Sequence, residues 1–138
     1  LPRSVVEVLD DPNVEDPGKV RRVVFASGKV AHEAIAERDK RGVPAAVVRI
    51  EQLYPWPEEQ VAAAVAHYEN AGEVIWLQEE PENMGAWTFV RGRLEQVLGD
   101  DYRLDHVSRH ESGSPAAGSA TMHALEQADL FDRAFGEL

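Results

Sequence analysis

The 138-residue sequence contains no cysteine. This excludes disulfides, thiolate nucleophiles and zinc–thiolate sites, and it fits a cytoplasmic setting. Between Ile50 and Val90 there is also no lysine or arginine. Glu51, Glu58, Glu59, Glu69, Glu73, Glu79, Glu80 and Glu82 all fall in that stretch, and the net charge is -11. A nucleic-acid phosphate surface would be repelled by that half of the chain, so solubility is the plainer meaning of the charge. No apolar run approaches the ~18 residues of a membrane span. The start, LPRSVVEVLDDP, lacks the basic-then-apolar form of a signal peptide. It also lacks a Met, so the chain is expected to be a piece of a longer polypeptide.

What is present alternates. Arg22–Ala26 and Ala45–Ile50 are short apolar runs bounded by turn signals, as buried strands are. Val74-Ile75-Trp76-Leu77 is a third, and a strand over 74–78 is expected. A weaker strand is expected over Arg103–Ser108. Helical spacing follows each. A helix with Val30, Ala34 and Ile35 inward runs to about Arg41, and Gly42-Val43-Pro44 stops it. Pro57 opens the next, with Glu58 and Glu59 opposing the positive end of its dipole and Val61, Val65 and Tyr68 inward. Trp87, Val90, Leu94 and Val97 step by three and four, which predicts a helix from about Gly85 to Leu98. The last helix carries a stripe of Ala124, Ala128, Phe131 and Phe135 beside Leu125, with Ser119 as its expected N-cap. Four alternations of strand and helix predict a parallel or mostly parallel sheet with helices on both faces. Residues 1–20 are rich in turn signals and read as a linker, with Val5, Val6, Val8 and Leu9 as an extended arm; residues 21–138 read as the domain.

Gln78-Glu79-Glu80-Pro81 is expected to be a polar loop after the third strand. Such loops are where ligands meet an open α/β sheet, although the solvated exit of a core strand reads the same way. Ser27-Gly28-Lys29 leaves the first strand and opens a helix, a place where backbone N–H groups can hold an anion. The phosphate-loop pattern fails there, because Val24 and Val30 stand where Gly and Ser or Thr belong. Glu79 and Glu80 point to opposite sides of an extended chain, so they do not make an acid–base pair; one of them is expected to cap the following helix or pair with an Arg. His106 and His110 lie on a strand and loop, where a four-residue spacing does not build a metal site. No nucleophile-elbow pattern surrounds Ser112, Ser114 or Ser119. No complete catalytic constellation is present.

The runs Val23-Val24-Phe25-Ala26-Ser27-Gly28-Lys29, Val48-Arg49-Ile50-Glu51-Gln52-Leu53-Tyr54-Pro55 and Trp76-Leu77-Gln78-Glu79-Glu80-Pro81, with Gly85-Ala86-Trp87, resemble the C-terminal domain of the 2-oxoglutarate dehydrogenase first component. The loop Ser112–Gly118, His123 and Val8-Leu9-Asp10-Asp11 fit the same pattern, the last as the end of a preceding pyrimidine-binding domain. The resemblance implies a three-layer α/β fold of the transketolase C-terminal type: a mostly parallel five-stranded sheet with one antiparallel strand. It implies an enzyme that decarboxylates 2-oxoglutarate with thiamine diphosphate and magnesium and transfers succinyl to a lipoyl group. The cofactor motifs of that enzyme are absent here. The resemblance therefore implies a structural, dimer-supporting role, working with other domains of the same chain and with the lipoyl-bearing acyltransferase and dihydrolipoamide dehydrogenase components. In the actinobacterial branch it further implies regulation by acetyl-CoA, for which Lys29, Gln78 and Arg109 are the candidate contacts. A stand-alone regulatory or scaffold domain of the same fold is the alternative. Trp76 is expected in the core and Trp56, in its Pro-bounded loop, at an interface.

Overall fold

The computed structural model describes residues 7–110 and 120–138. Val5, Val6 and the loop Glu111–Ser119, including the expected cap at Ser119, lie outside the described residues. The described chain forms strands β1 (Val8–Leu9), β2 (Arg22–Ala26), β3 (Ala45–Ile50), β4 (Glu73–Pro81) and β5 (Arg103–Arg109). Helices α1 (Lys29–Arg41), α2 (Glu58–His67), α3 (Trp87–Leu98) and α4 (Ala120–Phe135) connect and flank them. The sheet order is β1-β3-β2-β4-β5. β3, β2, β4 and β5 are parallel, and β1 pairs antiparallel with β3.

Central strands β2, β3 and β4 are apolar on both faces because both faces are covered. One face carries Val23, Phe25, Val48, Val74 and Trp76, packed under α2 and α3. The other carries Val24, Val47, Ile75 and Leu77, packed under α1 and α4. This is the three-layer α/β architecture expected from the alternation, with the one antiparallel strand at an edge.

Three expectations need correction. The stretch 78–81 is not a loop, since β4 runs on to Pro81. There Pro81 pairs with Arg109 after a register shift beyond Leu77, so β4 itself bulges and carries the polar residues within the strand. Val8 and Leu9 are more than an arm, because they align with Ile50 and Arg49 as the fifth strand. In α4, Ala124, Ala128 and Leu125 face solvent, and the buried stripe is Leu130, Phe131, Ala134 and Phe135. Only the second half of that helix lies on the sheet.

Gly42 ends α1 in the left-handed conformation, φ 66° and ψ 30°, with its N–H donated to Arg38 O at 2.8 Å. A Cβ there would meet nothing within 4 Å, so only the backbone conformation opposes a side chain. Gly42→Ala is expected to cost ~1–2 kcal/mol in chemical denaturation, the left-handed penalty for an L-residue. A neutral result would mean that the helix end relaxes.

Candidate functional site

The chain leaves β2 through α1 to β3 on one side, then returns through α2 to β4 on the other side of β2. The order reverses between β2 and β4, and ligands of open α/β sheets bind outside the carboxyl ends of strands at such a point. A crevice of about 280 Å³ lies there, lined by Ser27, Gly28, Lys29, Gln78, Glu79 and Glu80 together with Leu53, Trp76 and Ala86. Gly28 has φ 74° and ψ -150° and stands at the N-cap of α1 without a side-chain cap. It accepts from Ala31 N at 3.1 Å. Lys29 is exposed.

Gln78 is 3% exposed, and its amide makes four hydrogen bonds. Oε1 accepts from the Trp76 indole N–H at 2.9 Å and from Trp87 N–H at 2.9 Å. Nε2 donates to Pro81 O at 2.8 Å and to Glu80 O at 3.2 Å. An amide offers two donor hydrogens and two acceptor lone pairs, so this one is saturated by the protein. Trp76 and Gln78 are two apart on a strand and therefore share a face. Gly85 makes room, because a Cβ there would lie 2.7 Å from the Gln78 amide atoms. The first N–H of α3 is thus satisfied by Gln78, not by Glu79 or Glu80 as expected.

Next to this node the Trp87 ring stacks on His106, with centroids 4.6 Å apart and planes at 24°. His106 Nδ1 is 2.9 Å from Ser108 Oγ, and its Nε2 is 3.7 Å from Glu82 Oε1. The sequence had offered His106 and His110 only as a rejected metal pair. The signal that was missed is the i, i+2 spacing of His106 and Ser108 on one strand face. Among the described residues, no group of three or more His, Asp or Glu is gathered to hold a metal ion.

The structure therefore brings Lys29 and Gln78 into one crevice and leaves Arg109 elsewhere. Arg109 sits on β5, with β4 between that strand and β2, and pairs with Glu126 at 3.5 Å. Gln78 forms a wall with no free valence for a ligand. Trp76 is in the core as expected, and Trp56 is half-buried against it.

The model of the 2-oxoglutarate dehydrogenase C-terminal family matches residues 3–135. The chain belongs to that family. The 2-oxoglutarate dehydrogenase E1 component of Cupriavidus necator is 39% identical over 132 residues, covering 95% of this chain and 14% of that protein. The E1 component of Azotobacter vinelandii is 42% identical over 132 residues, covering 93% and 14%. The multifunctional 2-oxoglutarate metabolism enzyme of Mycolicibacterium vanbaalenii is 37% identical over 135 residues, covering 94% and 11%. The 2-oxoglutarate dehydrogenase C-terminal domain thus spans about a seventh or less of the length of these relatives. Among solved structures, a split-gene transketolase described as an inactive β4 tetramer matches with a TM-score of 0.53 and 19% identity, over 91% of this chain and 44% of that one. That likeness speaks for the fold alone.

Proposed function

We propose that the chain is the C-terminal, dimer-supporting domain of a thiamine-diphosphate-dependent 2-oxoglutarate dehydrogenase first component. Residues 1–20 would form its junction with a preceding pyrimidine-binding domain. The family match across residues 3–135 carries this reading. The residues of the crevice do not fit thiamine diphosphate with magnesium. Lys29 is the one cation among the residues lining it, Glu79 and Glu80 stand opposite, and the Gln78 amide is spent inside the protein. The chemistry is therefore assigned to other domains, and no step is assigned to this one. The partners of the whole enzyme would be a second copy, the lipoyl-bearing acyltransferase and dihydrolipoamide dehydrogenase, in the cytoplasm.

The test is release of CO2 from 2-oxoglutarate with thiamine diphosphate and magnesium supplied. The full-length protein is expected to release it and the 138-residue chain to release none. Turnover by the purified 138-residue chain would end the supporting role, and silence of the full-length protein would end the assignment to this enzyme.

The finer regulatory reading is that an acetyl-CoA phosphate meets Lys29 and the N–H groups that open α1, with other domains of the enzyme supplying the basic residues that this acidic crevice lacks. Gln78 then shapes the wall and Arg109 stands apart. Lys29→Ala in the full-length enzyme is expected to weaken acetyl-CoA binding by ~1.5–3 kcal/mol, one charge-assisted hydrogen bond. Calorimetry showing equal affinity would remove Lys29 from the site.

A further inference from the structure

We propose that the aromatic face formed by Tyr54 and Phe89 docks against the preceding body of the longer polypeptide, at a surface that is basic around an apolar socket. This rests on the reading of the chain as one domain of a longer enzyme. Tyr54 is 78% exposed at the tip of the connection from β3 to α2. Its ring stands edge-on to Phe89, 6.2 Å away. Leu53 and Trp56 on either side pack against the core, so the exposed ring has a fixed base. Arg93 lies over the other ring, 3.7 Å from the Phe89 centroid, and donates to Phe89 O. Met84, 73% exposed, stands in the turn leading to α3. Tyrosine, methionine and arginine together are the composition of an interface, and exposed aromatic area of this kind marks a docking surface.

Two observations choose the occupant. Charge decides against a second copy of the same face. Glu51, Glu58 and Glu59 lie within five residues of Tyr54 and Glu82 lies two before Met84, and Arg93 over Phe89 with Arg49, paired to Glu51 at 3.1 Å, offsets only part of that charge. Two such faces would repel, whereas a Lys- or Arg-bearing surface would be attracted. Position then selects the preceding chain. β1 runs antiparallel to β3, so the backbone enters at residue 7 beside the carboxyl end of β3, where Glu51 N–H donates to Glu7 O at 2.7 Å. The polypeptide thus arrives three residues from Tyr54, and a body tethered there meets the face at high effective concentration.

The test is maleimide labelling of single-cysteine variants of the full-length enzyme, read by peptide mass spectrometry. Tyr54→Cys reports the face, and Ala36→Cys, exposed on α1, reports open surface. Each rate is normalised to its own rate in denaturant. In the native enzyme Tyr54→Cys is expected to react about tenfold more slowly, as a site does that must open first. Adding Glu58→Lys and Glu59→Lys is expected to restore the rate. Equal native rates would overturn the proposal. So would protection that ignores the charge reversals, and so would protection that vanishes on dilution, which would give the face to a second subunit. Turnover is read separately. An active enzyme with an unprotected Tyr54→Cys sinks the docking and leaves the enzyme assignment standing; protection in a protein that never turns over 2-oxoglutarate does the reverse.

Discussion

Replacing Asp11 by alanine is expected to destabilise the domain by ~3–5 kcal/mol, the cost of leaving a buried charge without its partner. The Asp11 side chain is fully buried, and both of its oxygens accept from Arg38, at 2.6 and 2.8 Å. It also accepts from Val47 N–H at 2.8 Å and Asn13 N–H at 2.9 Å. One carboxylate therefore ties the segment after β1 to α1 and to the middle of β3. Arg38 is 5% exposed and keeps only Ala45 O and the half-exposed Asp39 once Asp11 is gone. Replacing both partners by apolar residues, Asp11→Leu with Arg38→Met, is expected to cost less than Asp11→Ala alone. Urea unfolding of the three proteins decides this. A loss below ~1 kcal/mol for Asp11→Ala would show that the pair is no better than an exposed one.

The same pair fixes a pH dependence. Burial pushes the Asp11 carboxyl up, but the hydrogen bonds from Arg38 and from the Val47 and Asn13 N–H groups outweigh it and hold the carboxyl below its ordinary 3.8. A carboxyl with a depressed folded pKa contributes stability that is whole above the unfolded value and lost as pH falls through the folded one. The stability gap between the parent chain and Asp11→Ala is therefore expected to be constant above pH 3.8 and to shrink below it.

The sequence made much of this fold legible because continuous apolar runs and helical spacing mark elements buried on known faces. β2, β3 and the start of β4 are such runs. What stayed hidden depended on partners far along the chain. Asp10-Asp11-Pro12 looks like a turn, and nothing local says that Arg38, 27 residues later, makes Asp11 a core residue. β4 continues through Glu79 and Glu80 because it bulges there and Pro81 still finds Arg109 on β5 to pair with, which no pattern within β4 encodes. The first half of α4 has the spacing of a packed helix but no sheet beneath it. At the site, parallel strands brought Lys29 and Gln78 together as the strand–helix order predicted. Arg109 stayed apart because β5 lies beyond β4, and strand order is not written in the alternation. The saturation of Gln78 was partly readable, since Trp76 and Gln78 share a face of a strand and Gly85 follows where a turn must pass close.

Gln78→Leu is expected to cost ~3–5 kcal/mol. The change leaves the Trp76 indole N–H, the Trp87 N–H and the Pro81 carbonyl buried without their partner, at ~1–3 kcal/mol each and not fully additive. Gln78→Glu separates the two halves of the node. A carboxylate can still accept from the two N–H groups but faces the Glu80 and Pro81 carbonyls with nothing to donate. Its folded pKa should therefore rise above the ordinary ~4.3 of a glutamate. A group whose neutral form is favoured by folding is tolerated below its unfolded pKa, and its penalty grows as pH rises above it. Gln78→Glu is thus expected to be close to the parent chain at pH 4 and clearly weaker at pH 7, the opposite trend to Asp11. Gly85 tests the node from the other side. Gly85→Ala places a Cβ 2.7 Å from the Gln78 amide and should destabilise the parent chain. In a Gln78→Ala background the obstructing amide is gone, and the same change should be nearly neutral. A coupling of more than ~1 kcal/mol is expected from the cycle, as for residues in direct contact. Additive costs would mean that strand β4 and helix α3 are not joined through this amide, and that the wall of the crevice is set by something else.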